Sequence, residues 1–302
     1  MTPAGAPTFL VIGHITRDRV AGKERPGGTA SYAAAVAARL GVPTAVLTSA
    51  ADDVELPAEL AGVRIERLPA PQTTLMEHVW RGRAREQFVR ARAAPLGPSA
   101  VPADLREAPI VLFGSVTGEV ATDTAGAFPH ALRGATLQGW LRRIATDDRV
   151  EAVAPAEAGI EHVFGDLDAA FLSEEDLGAS FEALRPLLDG WARRVRVLAV
   201  TRGDLGSLIA IDGVWHEIGV FPAHEVEGTG AGDAFAAAFL IRYHETAAAA
   251  AGAVMTAIAD AARFAAATAS FVVEAHGVAG APVRARVEAR LAAYPDVQLR
   301  LL

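Results

Sequence analysis

The densest chemistry in this chain lies in one run, Glu227-Gly228-Thr229-Gly230-Ala231-Gly232-Asp233-Ala234-Phe235, a glycine-rich turn that opens directly into an alanine-rich helical pattern. Helix N-termini present unpaired N–H groups and a partial positive charge, so such a turn can cradle a phosphoryl group. Glycine lets the backbone approach the anion closely. Asp233 falls in the first helical turn, where a carboxylate can accept a proton from an incoming hydroxyl. Together these supply what phosphoryl transfer to an alcohol needs: positioning, a pocket for migrating negative charge, and a base. A plainer account also fits the residues, in which Gly230 and Gly232 make a tight loop and Asp233 is an acid favoured by the helix dipole.

Two rival phosphate motifs fit less well. Gly228-x-Gly230 begins a GxGxxG pattern, but Asp233 occupies the final glycine position and the run lies late in the chain. A P-loop requires Gly-Lys-Ser or Gly-Lys-Thr, whereas the single lysine, Lys23, is followed by Glu24. The 8 histidines show neither HExxH nor paired spacing, which argues against catalytic zinc. Asp52-Asp53 reads as an acidic loop after a strand. Arg81, Arg83, Arg85, Arg90 and Arg92 could attract phosphates, yet alternating charges on an exposed hairpin face account for them.

The elements that must position the turn follow from periodicity. Thr8 to Gly13 reads as a buried strand and Thr29 to Leu40 as a helix closed by Gly41, with Pro43 blocking continuation. Strands are expected at Ala45 to Thr48 and Val63 to Arg67, flanking a short helical stretch around Ala58 to Leu60. Thr73 to Ala93 differs: two extended runs surround Arg81-Gly82-Arg83, as in a hairpin with partly solvated faces. Further strands are expected at Ile110 to Phe113, Ala169 to Leu172, Val195 to Thr201 and Ser207 to Ile211, the last ending in an Asp212-Gly213 turn. Helical patterns cover Phe181 to Arg193, Gly232 to Ala269 with a break near His244 to Thr246, and Val283 to Ala293. The alternation predicts an α/β fold with a doubly wound, mostly parallel sheet and helices on both faces.

Composition narrows the partners. With 302 residues, 51% hydrophobic and 21% charged, the chain reads as globular and as one main domain spanning residues 1–302. A net charge of -8 without a basic stripe argues against nucleic acid. The absence of cysteine excludes disulfides and thiolate metal sites and fits a reducing cytoplasm. Met1 to Pro7 lacks signal-peptide character. Ala247 to Ala259, the most apolar stretch, is too short to span a bilayer and reads as a buried helix, so no membrane role is expected.

The run GTGAGDAF, combined with Gly27-Gly28 and a following helix ending in Arg39-Leu40-Gly41, resembles the two signature regions of the ribokinase-like (PfkB) carbohydrate kinases. The resemblance spans nearly the whole chain. It implies a ribokinase-like α/β sheet with a small β lid at about residues 73–93 plus those after the first strand, and an ATP- and Mg²⁺-dependent phosphotransferase. It assigns Asp233 as the catalytic base and Gly230, Ala231 and Gly232 as the anion hole. Thr201, Arg202, Gly203 and Gly206 match the turn that packs on the nucleotide. Asp18 matches the carboxylate that holds substrate hydroxyls, in a pocket lined by Gly27 and Gly28.

The chain departs from the family pattern at five positions. Glu227 and Gly228 stand where Asp and Thr are usual. Ser173 and Asp176 replace an Asn-x-x-Glu motif that organises nucleotide phosphates and Mg²⁺, which leaves Ser173 as a nucleotide contact and Asp176 as the metal carboxylate. Tyr32 replaces a substrate-contacting Asn. Gln138-Gly139-Trp140-Leu141-Arg142, Leu172-Ser173-Glu174-Glu175 and Val273 to Gly277 are most similar to the inositol-kinase-related branch, which makes Arg142 a substrate or γ-phosphate contact. The acceptor implied is a small sugar or polyol, inositol-like; a nucleoside kinase and a catalytically weak nucleotide- or polyol-binding protein of the same fold are the alternatives. A homodimer through the lid is compatible with the resemblance.

Overall fold

A computed structural model describes residues 6–81, 84–247 and 253–302; Gly82 and Arg83 of the expected hairpin turn, and residues 248–252 of the apolar stretch, lie outside the described residues. The apolar run β1 (Phe9–Ile12) is buried at every position. The chain then leaves the body as β2 (Thr16–Val20) and β3 (Lys23–Gly27), joined through Ala21 and Gly22 at positive φ. α1 (Thr29–Arg39) follows from Gly28 and ends before Gly41, whose φ of 83° supplies the expected left-handed cap. β4 (Thr44–Ala50), β5 (Arg64–Pro69), β6 (Leu75–Arg81), β7 (Ala84–Ala91) and β8 (Ile110–Gly114) come next. After them run β9 (Leu132–Thr136), β10 (Arg142–Ile144), β11 (Val150–Ala152) and β12 (Ala169–Ser173).

The C-terminal half continues with α2 (Glu174–Leu177), α3 (Phe181–Ala192), β13 (Val197–Thr201), β14 (Ser207–Ile211) and β15 (Val214–Ile218). It closes with α4 (Ala231–Ala247), α5 (Val254–Val272), α6 (Arg284–Ala293) and β16 (Arg300–Leu301). α4 runs through the break expected at His244 to Thr246, where the Thr246 hydroxyl donates to the Arg242 carbonyl at 2.9 Å rather than competing for the helix.

The strands form a 10-stranded sheet in the order β16-β15-β14-β13-β12-β9-β8-β1-β4-β5. It is parallel from β5 to β13 and antiparallel beyond, the mostly parallel α/β sheet that the alternation of elements predicts. α1, α4 and α5 bury one face, and α3 with several short 3₁₀ turns buries the other. β9 escaped the sequence reading because Arg133 and Gly134 interrupt any apolar run in it. A Cβ on Gly134 would lie 2.6 Å from Leu240 Cδ1, so the glycine lets α4 lie close on the sheet.

A separate 4-stranded sheet, β3-β2-β6-β7, stands off the body. Its Met76 and Val89 pack with Val116, Ile144 and Val150, the last two from the small β10–β11 ribbon. The root of this lid is pinned by buried polar groups. His14, just after β1, has Nδ1 2.7 Å from Thr74 Oγ1 and Nε2 2.9 Å from the Ala94 carbonyl, so one imidazole holds both ends of the hairpin. Among the described residues no helix is long and apolar enough to cross a membrane.

Candidate active site

The glycine turn delivers Asp233 to the start of α4 as expected. Gly230, at φ 86°, accepts the Ala234 N–H at 2.9 Å, and the Ala231 N–H is turned back to the Gly228 carbonyl at 3.3 Å. Among the described residues the N–H groups of Gly232 and Asp233 have no backbone acceptor, so these two are free to receive an anion. Asp233 is partly exposed at the mouth of the turn, but its carboxyl is ringed by protein. Burial, reinforced by the nearby Asp176 and Asp18 charges, pushes its pKa up to about 6, against the opposing pull of Thr29 and Arg142. The Thr29 hydroxyl is buried without another partner and lies against this carboxyl. Sequence reading missed Thr29; its place directly after Gly27-Gly28 was the available signal.

On the lid side, Asp18 is buried and accepts from Thr16 Oγ1 at 2.6 Å. Gly27 on β3 pairs with Thr16, two residues along from Asp18, and any Cβ there would overlap the Asp18 carboxylate. A Cβ on Gly28 would likewise overlap the His14 carbonyl, and its φ of 81° also favours glycine. His78 on β6 brings Nε2 to 3.6 Å from Asp18 Oδ2, and that nitrogen is buried without a hydrogen-bond partner. Tyr32 lies against the glycine turn, since a Cβ on Gly230 would overlap its ring. Burial, with Glu227 and Asp18 nearby, pushes the Tyr32 phenol well up, so it stays protonated and can donate. Glu227 ties lid to turn: both of its oxygens accept from Arg25 of β3, and one also takes the Gly277 N–H at 3.1 Å. These donors and the Arg25 charge outweigh the effect of burial and hold its pKa below the usual carboxylate range.

On the donor side, Ser173 and Asp176 form a capping box for α2. Ser173 Oγ accepts the Glu175 N–H at 3.2 Å, and Asp176 Oδ2 accepts the Ser173 N–H at 3.0 Å. Asp176 Oδ1 faces Arg142 Nη2 at 3.6 Å, and the Arg142 side chain is only 11% exposed. Desolvation lowers the pKa of Arg142, with the Arg85 charge adding to the effect. Gly232 faces Thr201, the hydroxyl lying 3.8 Å from where a Cβ would stand, so the two expected turns meet. Gly203 and Gly206 have φ of 57° and 82°, and a Cβ on Gly206 would overlap the Ile218 carbonyl. Arg202 is not drawn into this cluster: its Nη2 donates back to the Leu205 carbonyl at 3.4 Å.

No group of three His, Cys, Asp or Glu side chains able to hold a metal ion occurs among the described residues. That suits Mg²⁺, which binds proteins through one or two carboxylates and otherwise through phosphates and water. Asp176 would hold it through Oδ1, which faces Arg142, since Oδ2 already accepts the Ser173 N–H.

Comparison with known proteins places this geometry in context. Residues 16–285 match the family described as pfkB family carbohydrate kinase. No curated protein matches the chain. Among solved structures, a fructokinase with bound ATP from Xylella fastidiosa superposes with a TM-score of 0.77 at 18% identity, covering 96% of this chain and 100% of that one. An Arabidopsis thaliana ribokinase complexed with ribose and ATP gives 0.70 at 21% identity, with 95% and 99% covered. A pyrophosphate-dependent kinase in the ribokinase family, complexed with a pyrophosphate analog and myo-inositol, gives 0.70 at 24% identity, with 93% and 99% covered. With the family match extending over most of its length, the chain belongs to the pfkB family of carbohydrate kinases.

Proposed function

We propose that this carbohydrate kinase transfers the γ-phosphoryl of ATP to a hydroxyl of a small sugar or polyol, an inositol-like acceptor being favoured, with Asp233 as general base. The observation that carries this is the Asp233 carboxyl, lifted to about 6, beside two free N–H groups and within the field of Asp18. An acceptor held by Asp18, and reached by the orphaned His78 Nε2, would point its hydroxyl at Asp233. The hydroxyl proton passes to Asp233 as the acceptor oxygen bonds to phosphorus, and the bond from phosphorus to the β,γ-bridging oxygen breaks to release ADP. The Gly232 and Asp233 N–H groups receive the charge on the transferring group. Thr201, Gly203 and Gly206 flank the nucleotide, and Asp176 offers a carboxylate to the phosphate-bound Mg²⁺. The ATP-bound fructokinase and ribokinase support the donor, and the myo-inositol complex supports the acceptor class.

The test is a product-release screen with Mg²⁺ over inositols, pentoses, hexoses and nucleosides, measuring ADP from ATP and, in parallel, phosphate from pyrophosphate. A polyol or sugar that gives the highest kcat/KM with ATP supports the reading. A nucleoside that outcompetes every polyol would replace the acceptor class, and ligand-induced thermal stabilisation without turnover would make the chain a binding protein.

A further inference from the structure

Of the arginines on the lid hairpin, most are satisfied locally. Arg81 bonds to Glu86 at 2.6 Å, and Arg90 bonds to Glu77 at 2.8 Å while approaching Asp148. Arg85 behaves differently, which corrects its assignment to a solvated face. It crosses from the lid to the body, where its Nη2 lies 3.7 Å from Glu175 Oε2 on the first turn of α2, and it forms no hydrogen bond among the described residues. That partner is loose, since the Glu175 side chain is 83% exposed.

Arg142 approaches the same space from the body. Its one hydrogen bond among the described residues goes to the Val116 carbonyl at 3.4 Å, and its contact with Asp176 is an ion pair at 3.6 Å. A guanidinium carries five N–H donors in a rigid fork. The two groups come to the adjacent carboxylates of Glu175 and Asp176, and with most donors unused they repel each other and gain nothing from their proximity. An anion with several oxygens between them would reverse that balance, because guanidinium–phosphate contacts are charge-assisted and often bidentate. Asp233 is near enough to Arg142 for each charge to act on the other.

We infer that Arg85 of the lid and Arg142 of the body close on the terminal phosphates of the donor, so that the lid reads the phosphoryl donor as well as the acceptor. This rests on the proposed kinase function and adds a residue on the side of the lid that family resemblance left unassigned. The chemistry recognised is a diphosphate unit, whether free pyrophosphate or the end of ATP. An exposed aspect of the clamp on the lid means that donor binding and lid closure favour one another.

The experiment is calorimetric titration of the full chain, with Mg²⁺, by inorganic pyrophosphate in one arm and by ATP in the other. Wild type is compared with Arg85→Gln, Arg85→Lys, Arg142→Gln, the Arg85→Gln/Arg142→Gln pair and Arg81→Gln. Arg85→Gln should weaken whichever donor binds by about ten- to a hundredfold, Arg85→Lys by less, and Arg81→Gln should match wild type. The double variant should lose less than the product of the two single losses, because both act on one phosphate unit. Weakening in the pyrophosphate arm alone identifies a base-free donor; weakening in both arms identifies ATP's terminal phosphates. Arg85→Gln binding every donor that wild type binds just as tightly, with an unchanged melting temperature, overturns the clamp alone. A wild-type chain that binds neither donor overturns the kinase reading with it.

Discussion

The glycine turn and the lid each place a carboxylate, Asp233 and Asp18, by different means. Asp233 is fixed by contiguous residues: Gly230 permits the turn, α4 begins at once, and the helix is anchored between α1, α5 and the sheet. Asp18 is placed by strands drawn from Thr16–Gly27 and Leu75–Ala91, whose root is tied by His14, Thr74 and Ser49 from other parts of the chain. The first region is rigid and local, the second long-range and half-solvated. Chemistry is therefore expected to depend on the turn, and acceptor recognition on the lid.

The sharpest way to break this division is Asp233→Asn. It should lower kcat by about 10² to 10⁴ while donor affinity changes little; single-turnover rates and donor titration read both, and a fully active variant overturns the base. Next is Gly230→Ala, which places a Cβ into the Tyr32 ring at a φ of 86° and disturbs the anion site. A loss of about a hundredfold in kcat is expected. Replacing Tyr32 by Ala as well should return only part of it, because the positive φ remains strained.

The lid half is tested by Glu227→Gln, which removes the charge that holds Arg25 of β3 against the turn. Acceptor KM should rise about tenfold with kcat changed less. A kcat loss as large as that of Asp233→Asn would erase the division. The smallest effects are those of pH. Asp233 must be ionised to act, so kcat should rise through about pH 6 and level off above it.

The same group carries a stability cost of the opposite sense. Its folded pKa lies above the ordinary 3.8, so the native state holds the proton more tightly, and stability falls as pH rises from about 4 to about 6. Asp233→Asn should consequently melt higher than wild type at pH 7, by about 1–2 kcal/mol after allowance for solvent screening. The gain should vanish near pH 4. Equal melting at both pH values would show that the carboxylate is not desolvated.

Legibility followed the same division. The run Gly230 to Asp233, the Gly41 cap and the apolar strands β1, β8, β12 and β14 all rest on short-range rules of periodicity and backbone freedom, and they appear close to where those rules put them. Ser173 and Asp176 were visible only as departures from a family motif, although Ser-x-x-Asp is itself a capping box. Thr29 had only its place after Gly27-Gly28 as a signal, and His78 and Arg85 had none, because each meets a partner 60 or more positions away, beyond the reach of any helix or strand period: Asp233, Asp18 and Glu175 respectively.

The sequence by itself determined the glycine turn, since a glycine with positive φ followed by an aspartate at a helix start is a property of neighbouring residues. Only the tertiary structure decided what surrounds it. Burial is what lifts Asp233 to about 6, and burial depends on which distant strands cover a group. The pairing of β2 with β6 brings Asp18 and His78 together, and the crossing of the lid onto α2 carries Arg85 to Arg142. Contacts of that range are fixed by packing the whole sheet and lid, and no window along the chain contains them.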